Sequence, residues 1–257
     1  MPSDKALDDI LLGPADRTSP CAACDVRDVS ICAVLDPDEL KRLEKIVTRL
    51  AVQPRETIFC EAAPAEYLFN VTGGAVKVYK LLADGRRQIT GFFFPGDFLG
   101  LAHLNKYAYT AEAIEEVRLC RFSRRKLEKM LEQYPKLEKH LLQTASNELA
   151  SAQDQMLLLG RKTARERIAT FLLALSERAK RHGRSGERVN LPMSRGDIGD
   201  YLGLTMETVS RTFTRFKNDG KVELTGARHV TLQDRQALCR LAGLVEDEPV
   251  SAVAGSL

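Results

Sequence analysis

Ser194-Arg195-Gly196-Asp197-Ile198-Gly199-Asp200-Tyr201-Leu202-Gly203-Leu204-Thr205-Met206-Glu207-Thr208-Val209-Ser210-Arg211-Thr212-Phe213-Thr214-Arg215-Phe216-Lys217-Asn218-Asp219 reads as two short helices joined by a glycine. Ser194 is placed to cap the first, since a serine oxygen accepts from the amides of the opening turn. Ile198, Tyr201 and Leu202 make that helix's inner face, and Gly203 supplies the left-handed residue a tight turn requires. Thr205 caps the second helix; Val209, Phe213 and Phe216 point inward, and Glu207, Ser210, Arg211 and Arg215 point outward. Two helices so joined form a helix-turn-helix unit. The second helix of such a unit enters the DNA major groove, and only its first turns reach base edges. Glu207, Ser210 and Arg211 occupy those turns. Arginine donates twice to guanine O6 and N7, glutamate accepts from cytosine N4, and serine serves several edges. An amphipathic hairpin with a charged exterior shares the helical period, but it does not call for the turn glycine and both caps together.

Downstream of Asp219-Gly220, Lys221–Leu224 and His229–Leu232 read as a β-hairpin wing. Wings touch phosphate, which makes Lys221 and Arg228 positioning candidates rather than sequence readers. Upstream, residues 183–190 are a polar connector, and a long helix is expected after Pro135. Its Leu142, Ala145, Leu149, Ala152, Met156 and Leu159 alternate three and four apart, the spacing of a coiled-coil seam. Such a stripe packs either on its own domain or on a second copy. Polar Ser146, Asn147, Gln153 and Asp154 on the other faces favour the homodimer.

Between residues 52 and 122 the period shortens to β-type runs: Thr57-Ile58-Phe59, Tyr67–Val71, Ala75–Leu82, Gln88–Phe94 and Arg118–Phe122. Gly73-Gly74, Ala83-Asp84-Gly85 and Pro95-Gly96-Asp97 supply turns. This is the grammar of a small barrel or jelly roll. A helix is expected over 36–50, capped by Asp36, with Pro37 in its first turn and Leu40, Leu43, Ile46, Val47 and Leu50 as its apolar stripe. The fold class is therefore α+β. The expected division is an N-terminal cysteine-containing segment over 1–35, a β-roll over 36–137, a dimerisation helix over 138–170, a winged helix-turn-helix over 171–245 and a frayed tail over 246–257.

Charge follows the same division. The chain of 257 residues carries a net +3, yet residues 160–235 hold 16 Lys/Arg against 9 Asp/Glu, so the basic part is the C-terminal third. That third suits a polyanionic partner, although a solvated helix face also explains runs such as Arg161–Arg167. No window is long and apolar enough for a membrane span, and Ile10-Leu11-Leu12 follows acidic rather than basic residues. A cytoplasmic protein with no membrane partner is expected.

The six cysteines lie at 21, 24, 32, 60, 120 and 239. In a reducing compartment, clustered thiols point to metal or redox chemistry rather than disulfides. Cys21-x2-Cys24-x7-Cys32 sits in an irregular segment able to wrap three thiolates around one centre, and Cys120 is the best candidate for a fourth. By spacing alone, an iron–sulfur cluster and a closed tetrahedral zinc site stand level. Cys60 and Cys239 read as small buried hydrophobes.

With Glu207-Thr208-Val209-Ser210-Arg211 and the four cysteines in view, the chain resembles the CRP/FNR superfamily of bacterial regulators across residues ~20–245, and within it the FNR branch, which carries Glu-x-x-Ser-Arg in its recognition helix. The resemblance implies a cyclic-nucleotide-binding-like β-roll sensor, a dimer helix and a winged helix-turn-helix on double-stranded DNA with a TTGAT-N4-ATCAA palindrome. It also implies contact with RNA polymerase, and an oxygen-labile 4Fe-4S cluster on Cys21, Cys24, Cys32 and Cys120, with activation of transcription when oxygen is absent. Zinc on the same thiols, or thiol redox alone, is the alternative. No cyclic nucleotide is expected, because Gly96-Asp97-Phe98-Leu99-Gly100 leads into Leu101–Ala113 without the arginine that would pair its phosphate. An iron–sulfur enzyme or electron carrier is the reading from another class. With four histidines and neither a nucleotide loop nor a nucleophile–base motif, the chain is not expected to be an enzyme.

Overall fold

In the computed structural model, residues 20–103, 105–226 and 228–244 are described; the expected frayed tail and residues 1–19 lie outside them. Two 3-10 turns, Arg27–Val29 and Ile31–Val34, follow the first cysteines. Helix α1 (Pro37–Glu44) opens on a capping box in which Asp36 accepts from the Glu39 amide and the Glu39 carboxylate accepts from the Asp36 amide.

The chain then turns strand-like earlier than the sequence suggests. The helix expected over 36–50 stops at Glu44, and Val47–Val52 is strand β1. Leu40 and Leu43 are buried as expected, but Val47 and Leu50 belong to the strand, paired residue for residue with Phe122 and Leu119. A six-residue ladder against a buried strand outweighs a helical period carried by β-branched Val47 and Thr48.

The remaining strands of the roll are β2 (Thr57–Phe59), β3 (Tyr67–Gly73), β4 (Val76–Leu81), β5 (Arg87–Phe93), β6 (Phe98–Leu99), β7 (Ala102–His103), β8 (Lys106–Tyr107), β9 (Thr110–Ala113) and β10 (Val117–Ser123). They form two four-stranded antiparallel sheets, in the orders β1-β10-β3-β6 and β2-β9-β4-β5, with β7-β8 as a separate hairpin. Phe59, Phe69, Val71, Val78, Phe93 and Leu119 fill the space between the sheets.

Helices α2 (Arg124–Gln133) and α3 (Pro135–Arg161) follow. Residues 138–170, expected as one helix, are two. Lys162 is extended, and Thr163 with Glu166 forms a second capping box that starts α4 (Ala164–Arg181). Ile168 and Ala169 thus join Phe171 in the C-terminal core rather than continuing the dimerisation helix.

That core is completed by β11 (Arg188–Asn190), α5 (Arg195–Leu202), α6 (Met206–Asn218), β12 (Val222–Thr225), β13 (His229–Leu232) and α7 (Arg235–Ala242). β11, β13 and β12 make the wing sheet. The C-terminal core continues into the roll through β5, whose Phe92 lies 5.2 Å from the Tyr201 ring and 6.3 Å from that of Phe171.

Charge reinforces this junction. Asp197 on α5 caps its own helix through Ser194 and accepts from Lys77 at 3.0 Å and Arg87 at 2.9 Å. Arg87 also reaches Asp200 at 2.7 Å, and Gln88 donates to the Asp200 carbonyl at 2.7 Å. Burial works to raise the Asp197 carboxyl, but the Ser194 hydrogen bond and Lys77 hold it below its usual range.

Removing one partner of a buried ion pair strands the other, so Asp197→Ala should lower stability to denaturant by about 3 kcal/mol. Because its folded value is depressed, the carboxylate's contribution is complete above the ordinary carboxyl range near about pH 4 and is lost as pH falls through the lowered value. Denaturant titrations of wild type and variant should therefore converge in acid; equal stability at neutral pH would refute the assignment.

Candidate nucleic-acid interface and thiol cavity

The recognition surface is built from the turn outward. Ser194 Oγ accepts from the Asp197 amide, and α5 ends at Gly203 with φ 63°. Gly199 lies inside α5 where a Cβ would stand 2.6 Å from the Leu204 carbonyl oxygen, so the turn that leads into α6 folds back on α5 at a distance only glycine permits. Thr205 Oγ1 accepts from the Thr208 amide at 3.2 Å and starts α6. Val209, Phe213 and Phe216 are buried, with the Arg195 guanidinium 3.6 Å from the Phe213 ring centre. Thr205, Glu207, Ser210, Arg211 and Arg215 are exposed, all five on the side of α6 away from that core. Lys221 is only half-exposed, and its ammonium is bonded to Asp219 at 3.0 Å. Arg228 on the wing is the more open cation, 3.7 Å from Glu115.

Along α3, Leu142, Leu149 and Met156 are 63–71% exposed and Ala152 is exposed with them. Leu157, which the seam pattern missed, is equally open. Ala145 is half-covered. Leu159 is drawn inward, close enough to Gly203 that a Cβ there would meet its Cδ2 at 3.3 Å.

Cys21, Cys24, Cys32 and Cys120 line one cavity of about 190 Å³ between the N-terminal turns and the β1-β10-β3 sheet. Among the described residues, no three His, Cys, Asp or Glu side chains come together closely enough to hold a single metal ion. The thiols are spread around the cavity wall yet feel one another's charge. Burial first, then Cys21, Cys120 and Cys24, push the Cys32 thiol up to about 12, against a hydrogen bond involving Ser30 that lowers it. Burial, Cys21 and Cys24 push Cys120 up to about 11. Burial and Glu44 raise Cys21, and Arg49, 3.9 Å from its sulfur, opposes them. Four thiolates cannot share this cavity without a positive centre among them. Of the two remaining cysteines, Cys239 is buried as expected, but Cys60 is exposed: it follows strand β2 at the sheet edge, outside the apolar surroundings its neighbours suggest.

The sequence shows little sign of the groups joining the β-roll to the helix-turn-helix domain. Lys77, Arg87 and Gln88 read as ordinary polar positions of alternating strands, and only the packing of β5 on α5 brings them to Asp197 and Asp200. No helix among the described residues is long and apolar enough to cross a membrane.

Comparison with known proteins matches residues 49–134 to the cyclic nucleotide-binding domain and residues 166–241 to the Crp-like helix-turn-helix domain. The chain is 42% identical over 204 residues to the nitrogen fixation regulation protein FixK of Bradyrhizobium diazoefficiens, covering 79% of this chain and 86% of the relative. It is 36% identical over 227 residues to the transcriptional activator protein FnrL of Cereibacter sphaeroides, covering 87% and 92%. Among solved structures, FixK2 from Bradyrhizobium japonicum aligns with a TM-score of 0.72 at 44% identity, covering 76% of this chain and 97% of that one.

In metal-free protein at about pH 8, Cys32 and Cys120 should react with iodoacetamide at least about tenfold more slowly than exposed Cys60, because the thiolate is the nucleophile. Peptide mass spectrometry over a pH series reads this; similar rates at all three cysteines would contradict the buried cavity.

Proposed function

The chain belongs to the Crp/Fnr family of transcription regulators, and from that premise we propose that it is a homodimeric, oxygen-responsive activator that binds double-stranded DNA when its four clustered thiols hold a 4Fe-4S cluster. The carrying observation is that Cys21, Cys24, Cys32 and Cys120 converge on one cavity whose N-terminal wall packs against the helix leading to the reader. A cubane takes one thiolate at each of four corners, which suits donors spread around a wall. When bound, the cluster would supply an oxygen-labile link between the N-terminal segment and the roll. The chain's own residues do the rest. Ile31 and Leu35 pack with Leu137 and Leu141 at the start of α3, so holding Cys32 against Cys120 also holds the turn that braces that helix. With the brace in place, the exposed Leu142, Leu149, Ala152 and Met156 face a second copy, and two α6 helices read a TTGAT-N4-ATCAA-like palindrome with Glu207, Ser210 and Arg211. Arg215, Thr205, Lys221 and Arg228 meet backbone phosphate. RNA polymerase is the further partner and the cytoplasm the compartment. Cyclic nucleotide has no part in this scheme: Asp97 in the Gly96-Asp97 turn is paired to Arg178 at 2.8 Å.

Anaerobically purified protein should be brown, lose its visible absorption in air, and sediment as a dimer before exposure and as a lighter species after it. A colourless, zinc-containing protein would favour the alternative on the same thiols. Identical dimers before and after air would count against the oxygen switch. On DNA, Arg211→Ala should lose about 1–3 kcal/mol of discrimination at one guanine, while Arg228→Ala should weaken cognate and random DNA alike. Binding titrations on both sequences decide it; equal losses for Arg211→Ala would remove its reading role.

A further inference from the structure

Strand register lines up three side chains across the floor of the thiol cavity. Arg49 on β1 pairs with Cys120 on β10, and Cys120 pairs in turn with Asn70 on β3. Side chains directly opposite in adjacent strands share a face of the sheet, and all three line the cavity. The two neighbours of Cys120 differ in kind. Arg49 lies at the solvent edge and reaches over the mouth to the Cys21 sulfur at 3.9 Å. Asn70 is 2% exposed, and its side-chain oxygen has no hydrogen-bond partner, while its amide nitrogen makes only a 3.5 Å contact with the Val71 carbonyl.

A buried amide oxygen without a partner costs free energy. Thiolate sulfurs accept hydrogen bonds, so of the two ends of an amide lining their cavity only the N–H end can bond them. A half-turn of the amide, giving up the 3.5 Å Val71 contact, exchanges its ends and puts N–H donors where the unpartnered oxygen now lies, in the cavity that the cysteines line. Four thiolates on any iron–sulfur or zinc centre leave surplus negative charge, which a buried site must offset with donors or a cation.

We propose that Asn70 and Arg49 are positioning residues for the thiolate-held group: Asn70 donates N–H to a cysteine sulfur from the cavity floor, and Arg49 supplies positive charge at its mouth. This rests on the reading of the four cysteines as one ligand set. Hydrogen bonds to cluster sulfurs raise reduction potential, as does nearby positive charge. The two residues therefore set how readily the centre is reduced and how firmly it is kept.

The test uses the full-length chain, reconstituted without oxygen, as wild type, Asn70→Leu, Arg49→Met and Arg49→Lys, with visible absorption and spectroelectrochemical potential as readouts. Asn70→Leu and Arg49→Met should move the midpoint potential to more negative values, and Arg49→Lys should return it toward wild type. Thermal unfolding of metal-free Asn70→Leu separates this from a packing role: loss of an orphaned acceptor should leave that state at least as stable as wild type. If the wild type forms no iron–sulfur group, the same variants are titrated with Co²⁺, and Asn70→Leu and Arg49→Met should each bind it roughly tenfold more weakly. Unchanged potentials, or unchanged Co²⁺ affinities, in both variants would overturn the proposal with the ligand set intact. A wild type that takes up neither iron–sulfur nor Co²⁺ would overturn the ligand set itself, and the proposal with it.

Discussion

Asp197 closes the first turn of α5 and in the same position receives Lys77 and Arg87 from the roll. Lys77 is itself shared with Glu112 at 3.0 Å, so the buried ammonium is held from both sides of the domain junction. Charges taken out of water need such duplicate partners, because a single pair seldom recovers its desolvation cost. The consequence is mechanical. α5 cannot tilt without breaking a buried network, and the close approach of Gly199 to Leu204 passes the position of α5 on to α6. The direction in which Glu207, Ser210 and Arg211 face is thus set by the β-roll through a few side chains.

Helix α3 connects this junction to the thiol cavity. Its 27 residues span about 40 Å at the helical rise. Near its start, Leu137 and Leu141 pack with Ile31 and Leu35 beside Cys32. Toward its end, Gln155 donates to the Tyr201 carbonyl at 2.8 Å and Leu159 lies beside Gly203. One rigid element therefore touches the Cys32-bearing turn, the helix-turn-helix domain and, along its open stripe, solvent. A change that loosens the Ile31–Val34 turn acts on the same body that carries the exposed leucines and braces the reader. Under the proposed function, this continuity would be the physical route by which a thiol-held centre acts on DNA affinity.

Local chemistry was legible wherever it was complete within a few residues. The helix-turn-helix is the clearest case, since caps, turn glycine and inward apolar residues all lie within 194–219 and leave α6 little choice. In the roll, β2, β3, β4, β5 and β10 are legible from their turns, whereas β1 reads as helix and the short β6, β7, β8 and β9 carry no run long enough to read. Sequence and structure part where a distant partner decides. Val47 and Leu50 fit a helical stripe until the β10 ladder takes them, and Leu159 fits the seam until Gly203 and Arg167 close over it. The break at Lys162 was readable in Thr163-x-x-Glu166, but the continuing apolar period masked it.

The chain alone determined that its C-terminal third presents exposed polar side chains on a capped helix, and that three cysteines lie within twelve residues of one another, because capping, turn conformation and close spacing are properties of neighbouring residues. Only the tertiary structure decided that Cys120 faces those three, that Arg49 and Asn70 flank it, and that Lys77 and Arg87 meet Asp197. Strand register and domain packing bring together residues 50 to 120 positions apart, and the period of a strand says which face a side chain takes but not what waits opposite it.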